Sequence, residues 1–525
     1  MLPQLSPGQV LRGGGQVGRE RDVALLRDDG RPAGEPGGVD GATEQVDVQG
    51  LYSALAALRR VVEAACDRGA SERRDLTDPG RQLGRVGVAQ QHLPVQRGHP
   101  AARVVAVDRE VLLDPAVNPA DTVLAAKRRS FFSAIPGFAA DLDGEPYALF
   151  SVHSLDATTI DAMRAAAADA YRVLARTTQL VRTLDDAVLC ELGYPPSTLG
   201  LVRMAHDPPA LIARVDLIFD GTRFRAIEIN ADTPGFIIEA HAINGRVCAA
   251  FGSRDPNDGT EALLADALAR ACAGASNPVF TALGAHIEDR NATEYLVRLA
   301  RERAIDARFI ALADLRITAN ALLDDRGKPI DCLYRNYPIE LFAADRDEAG
   351  EPIGPALFDL VERGQVRLLN SPAAFAMQNK AVYAIAWELY ERNAFFSNEE
   401  RAAIERTFVP TWFEPPSGGA YVRKPVFGRE GDSVTIVEAN GTETSPYGSY
   451  LTQPTIAQRY VPMPQLAMPE TNGATSTYAL HGCFLVDGVA GALALRLGGR
   501  ITSNASYFQP IGEIDEARRN PLTTK

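Results

Sequence analysis

The first 126 of the 525 residues contain no Lys, Phe, Ile or Trp, and one Tyr, Tyr52. Without large aromatics or isoleucine a segment has little with which to build a core. One helix is expected there, over residues 51–66 (LYSALAALRRVVEAAC). The segment reads either as a disordered extension or as residues upstream of the true start, and we take the second. Other absences run along the whole chain. No apolar run approaches the length of a membrane span, and MLPQLSPGQVLRGGGQ has no apolar signal segment. Six cysteines (Cys66, Cys190, Cys248, Cys272, Cys332, Cys483) are scattered, with no zinc or disulfide spacing. That pattern fits reduced thiols in the cytoplasm. Seven histidines form no cluster, and no Ser-His-Asp or Cys-His arrangement supports nucleophilic hydrolysis. A basic excess is missing too: the formal charge is −13. This argues against a nucleic-acid partner and suits a cationic substrate such as a polyamine.

Composition changes at Lys127. Length allows two to four domains, and 46% hydrophobic with 23% charged residues is a globular mixture. From Ser154 a long amphipathic helix is expected, with Ile160, Met163, Ala167, Tyr171 and Leu174 on one face and Asp156 as cap. Residues from about 275 to 370 alternate strand, helix and strand, which predicts a small parallel α/β subdomain. Residues 371–512 place Asn379-Lys380 near a helix start and then read as antiparallel strands. Among these is a hairpin turning at Asp487-Gly488.

Residues 212–235, IARVDLIFDGTRFRAIEINADTPG, read as a hairpin that gathers Arg214, Asp216, Glu228 and Asn230. Asp, Glu and Asn supply the hard oxygen ligands that Mg²⁺ takes beside substrate phosphates. Directly opposite residues share a face. A two-residue turn at 220–221 would leave Glu228 on the far face. A three-residue turn, 220–222, pairs Asp216 with Ala226 and Arg214 with Glu228, so an odd-length loop or a bulge is expected. The same alternation also describes a surface hairpin with a polar outer face.

A second stretch, residues 424–431 (KPVFGREG), joins Lys424 and Arg429 to Gly428 and Gly431. Such a loop lets backbone approach an anionic triphosphate, and also describes an ordinary hairpin turn. Lys380 is either a further phosphate cation or a solvated helix residue. Arg496 ends an apolar strand and needs a partner. Glu288 and Asp289 either face an amine or are solvated acids.

RVDLIF, IEINADTP, Asn379-Lys380, YVRKPVFGREG, IAQRYVP and ITSN, in this order, resemble the glutathionylspermidine synthase family over about residues 130–512. More narrowly they resemble its synthetase domain and related stand-alone proteins. The resemblance implies an α+β ATP-grasp fold preceded by a pre-ATP-grasp α/β region, within residues 127–525. It implies ATP- and Mg²⁺-dependent joining of a small-molecule or peptide carboxylate to an amine, a polyamine or amino acid. By motif, Asp216, Glu228 and Asn230 bind Mg²⁺, and Arg214 lies over the transferring phosphate and acyl group. Lys380 and Lys424 hold phosphates, and Gly428, Arg429, Glu430 and Gly431 form the closing loop. Gln458, Tyr460 and Val461 lie at the adenine hinge, and the resemblance assigns no role to Arg496 and Asn504. The sequence departs from the family in two ways. The first 126 residues are too short and wrongly composed for the amidase domain of bifunctional members. Gly235 stands where glutathione-using members tend to have a hydroxyl residue. A non-catalytic nucleotide-binding protein of the same fold, or a small-molecule phosphotransferase, remain as alternatives.

Overall fold

The computed structural model describes residues 119–514, apart from 143, 348–349, 446–447, 469–475 and 505. The helix expected at 51–66 and the polar tail lie outside the described residues. The described part is α+β. Its first helix, Pro119–Ser133, crosses the compositional boundary at Lys127. Arg128 is buried there, its guanidinium donating to Ala148 O at 2.6 Å and to Asp141 at 2.6 Å.

The expected long helix runs Ala157–Val181. Asp156 caps it, its carboxylate accepting from Thr159 N at 2.8 Å, and Ile160, Met163, Ala167, Tyr171 and Leu174 are all buried. That face packs on a six-stranded antiparallel sheet. The sheet's order is Tyr507–Phe508, Val489–Gly498, Ser476–Val486, Ile212–Phe219, Phe224–Asn230, with Gln465–Ala467 pairing beside Ser476–Val486. Two hairpins more than 200 residues apart thus share one sheet. The later one turns at Asp487 (φ 48°) and Gly488 (φ 78°), both left-handed as the turn's twist demands.

A four-stranded sheet, ordered Arg367–Leu369, Cys332–Asn336, Pro278–Ala282, Arg308–Ala311, is parallel throughout. Parallel neighbours need crossovers, and helix Ile287–Glu302 supplies one of them. A five-stranded antiparallel sheet, ordered Thr411–Trp412, Thr455–Arg459, Tyr421–Pro425, Thr435–Val437, Glu443–Thr444, carries the glycine loop. Asn370 straps the parallel sheet to the hairpin. Its side chain accepts from Ile212 N at 2.8 Å and donates to Ile212 O at 2.8 Å and Ala231 O at 2.7 Å. Among the described residues no helix is long and apolar enough to cross a membrane.

Candidate active site

The hairpin loop has four residues, 220–223, rather than the three expected. The Asp220 carboxylate organises it, accepting from Thr222 N and Arg223 N at 2.9 Å each. Phe219 then faces Phe224, and Leu217 faces Ala226. Continued without interruption, this ladder would set Asp216 against Ile227 and turn Glu228 to the far face. The expected bulge prevents that: Ile227 is left over, Asp216 faces Glu228, and Arg214 faces Asn230. The partners therefore differ from the expected Asp216–Ala226 and Arg214–Glu228, while all four polar residues share a face. The bulge also frees the Ile227 carbonyl, which accepts from Lys424 Nζ at 3.2 Å.

Asp216 is buried between two guanidiniums. Arg214 donates to it at 2.6 and 3.0 Å, Arg496 at 2.9 Å, and the Asn230 amide at 3.3 Å. Burial alone would raise its pKa, but Arg214 and then Arg496 overcome burial and hold the carboxyl below its ordinary value. Gly482 sits opposite Asp216 on the neighbouring strand; a Cβ there would come within 3.1 Å of Arg214 Cδ. Glycine makes the room in which the guanidinium lies.

Lys380 directly precedes helix Ala381–Glu391 and is buried, not solvated. Its ammonium lies 3.1 Å from Glu228 and donates to Gly428 O at 2.7 Å. Lys424, also buried, donates to Gln458 Oε1 at 2.8 Å, and Gln458 is steadied by Thr411 Oγ1 at 3.0 Å. Burial pulls the Lys424 ammonium down to about 8, with Lys380 adding to the fall and Glu228 opposing it. Around the hairpin, four cations (Arg214, Arg496, Lys380, Lys424) meet two carboxylates (Asp216, Glu228), so the positive charge is in excess.

Arg429 ties the glycine loop to helix Ile339–Phe342 and to the segment after the hairpin. It donates to Glu340 at 2.8 Å and to Thr233 Oγ1 at 2.9 Å. Asp232, beside Thr233, accepts from the fully buried Arg335 and from Ile339 N at 3.1 Å. Gly428 contributes its carbonyl to Lys380. Gly431 (φ 73°) uses its missing Cβ against Thr502, whose carbonyl a Cβ would meet at 2.2 Å. Glu430 is exposed. The Tyr460 hydroxyl accepts from Arg500 at 2.9 Å, and Val461 is half-buried. Asn504 is exposed. Asp289 lies in the first turn of its helix, accepting from Asn336 at 3.0 Å with His286 2.9 Å away, whereas Glu288 is half-buried and pushed up to about 7 by burial and then by Glu239.

Tyr147, Asp232, Glu239, Arg335 and Glu340 were not legible as site residues. Asp232 had the one usable signal, its place directly after the hairpin. The others come from segments whose patterns read as ordinary strand or helix. Among the described residues no three His, Cys, Asp or Glu side chains form a metal cage. Two opposed carboxylates and an amide oxygen are instead the partial oxygen set that suits Mg²⁺ completed by phosphates and water.

Residues 132–512 match the family model described as glutathionylspermidine synthase preATP-grasp. A protein of Haemophilus influenzae that carries the provisional name acid–amine ligase is 25% identical over 316 residues, 58% of this chain and 75% of the relative. Among solved structures, a glutathione synthetase-like effector of Globodera pallida in its apo form aligns at TM-score 0.49 with 10% identity, over 76% of this chain and 98% of its own. A protein of Methylobacillus flagellatus provisionally described as a gamma-glutamylcysteine synthetase aligns at TM-score 0.37 with 12% identity, over 58% and 80%. The family match spans most of the chain and every element that bears the charged cluster, and this protein belongs to the glutathionylspermidine synthase family.

Proposed function

We propose that this protein is an ATP- and Mg²⁺-dependent ligase of the ATP-grasp type that joins a carboxylate to an amine. The observation that carries the reading is the buried excess of positive charge around the hairpin, a built receptor for a polyanion. The name of the Haemophilus influenzae relative supports the same reaction class. Residues 127–525 form the synthetase unit on this reading. The hairpin 212–235 is its metal and acyl site, and residues 371–512 are the lobe that closes on ATP.

Asp216, Glu228 and Asn230 would hold Mg²⁺, which supplies charge neutralisation for the triphosphate. Lys380 and Lys424 bind phosphate oxygens, each from a fixed point: Lys380 on the glycine loop's own carbonyl, Lys424 on Gln458 and the bulge. Gln458, Tyr460 and Val461 line the adenine side. The substrate carboxylate takes the γ-phosphoryl group and becomes an acyl phosphate; the amine then displaces phosphate. Arg214 stabilises the oxygens of the acyl phosphate and of the tetrahedral species that follows. Arg429, Glu430 and the glycines 428 and 431 close over the reactants and exclude water.

The test is ATP turnover with glutathione or other peptides as acid and polyamines or amino acids as amine. Glu228→Ala is the control. ADP and phosphate released only with an acid–amine pair, and lost in the variant, are expected. ADP with a phosphorylated product and no free phosphate would mark a phosphotransferase. ATP binding without turnover across the panel would mark a binding protein.

A further inference from the structure

The chain leaving the hairpin turns sharply. Arg214 donates to Gly235 O at 2.8 Å, and Phe236 follows at φ 75°, a left-handed conformation that costs a bulky residue energy. A π-helical turn, Glu239–Ile243, comes next. Such turns cluster at functional sites, because they re-aim one side chain at the expense of a regular hydrogen bond. The side chain presented here is Glu239. It is buried, and the Tyr147 hydroxyl donates to its Oε1 at 3.0 Å. Tyr147 is held in turn by an edge-on contact with Phe236, 6.1 Å between ring centres.

The neighbouring carboxylates are already matched to cations. Asp216 pairs with Arg214 and Arg496, Glu228 with Lys380, Asp232 with Arg335, and Glu340 with Arg429. Among the described residues Glu239 has no ion-pair partner. The charged and titratable groups that face it are Tyr147, Arg214 and Glu288. Arg496 acts on Tyr147, and His286, Asp289 and Glu430 act on Glu288. Burial pushes the Glu239 carboxyl up to about 7, against the pull of Tyr147 and Arg214. A carboxyl so placed holds or releases a proton near neutrality. Glu288 shares the raised value, but it is half-buried in the first turn of helix Ile287–Glu302, and the charge of Glu239 is part of what raises it.

We propose that Glu239 is the proton acceptor for the attacking amine, with Tyr147 as its positioning residue. The inference rests on the ligase reading above. In the second half-reaction the nitrogen lone pair forms the C–N bond. The C–O bond to phosphate breaks with its electron pair staying on phosphate. The proton shed by nitrogen passes to the Glu239 carboxylate and from there to the departing phosphate. Arg214, tied to the segment that leads to Glu239 by its hydrogen bond to Gly235 O, holds the oxygen of the tetrahedral species while the proton moves.

The experiment compares two nucleophiles in the full-length protein: the amine that gives turnover in the panel, and hydroxylamine, which meets the acyl phosphate as a free base and needs little help. Glu239→Gln keeps the Tyr147 contact and removes the base. It is expected to lower kcat with the amine by on the order of 10²-fold or more. Hydroxamate formation from hydroxylamine should stay within about threefold of wild type, since acyl phosphate formation is untouched. Tyr147→Phe should keep most of the rate and move the acidic limb of the pH profile upward. Glu239→Gln retaining full amine activity, or losing both nucleophiles alike, overturns the role. A wild-type protein inactive with every pair and with hydroxylamine overturns the ligase reading itself, and the role with it.

Discussion

Replacing Lys424 with Met should stabilise or leave unchanged the ligand-free protein while destroying ATP binding. The ammonium falls from an ordinary 10.5 to about 8, chiefly through burial. At about 1.4 kcal/mol per pH unit, holding it charged costs the folded state roughly 3 kcal/mol at neutral pH. Met fills similar space without the charge. It leaves Gln458 Oε1 and Ile227 O without their donor, a loss of about 1–3 kcal/mol. The difference lies between about zero and 2 kcal/mol in favour of the variant. Urea unfolding followed by circular dichroism reads it. The pH dependence is sharper still. Between about 8 and 10.5 the unfolded chain keeps the proton that the folded chain has released. Wild-type stability therefore gains about 3 kcal/mol relative to Lys424→Met as pH rises through that window. With ATP and Mg²⁺, wild type should gain stability by ligand linkage and the variant should not. Equal pH slopes in the two proteins, or a variant that loses more than about 2 kcal/mol yet still binds ATP, would refute the reasoning.

Gly482→Ala places a methyl 3.1 Å from Arg214 Cδ; turnover should fall about tenfold as the guanidinium shifts, with unfolding changed by less than ~1 kcal/mol, read by parallel kinetics and melting. Asp156→Ala removes the acceptor for Thr159 N from the long helix and should lower the urea midpoint with unchanged slope. His286 is raised to about 9 by its hydrogen bond to Asp289. Its contribution to stability is complete below about 6.5 and is lost as pH rises through about 9. The pair is half exposed, so the effect is small and is best followed as the imidazole resonance in an NMR titration, where Asp289→Asn should return it toward 6.5.

Local patterns in this chain carried real information. The 3.6-residue spacing from Ile160 to Leu174 and the cap at Asp156 determined the long helix, because both act within a few residues of chain. Asp487-Gly488 determined a turn, because only left-handed residues match the strand twist. Parity was enough to demand an irregularity in the 212–230 hairpin if its acids were to share a face. What parity could not choose was where the extra residue goes. Asp220 stabilises a four-residue loop, and the surplus moves to Ile227, whose carbonyl accepts from Lys424, 197 positions away. That choice is tertiary. So is the pairing of Arg496 with Asp216, since the strand that bears Arg496 reaches the hairpin only through Ser476–Val486. Lys380 read equally well as a solvated cation until the fold buried it between Glu228 and Gly428. Glu239 was illegible for the same reason: a single acid in an apolar run has meaning only when burial, Tyr147 and Arg214 surround it. Backbone periodicity is written locally, whereas the charge state and work of a side chain depend on the neighbours and the dielectric that distant segments bring to it.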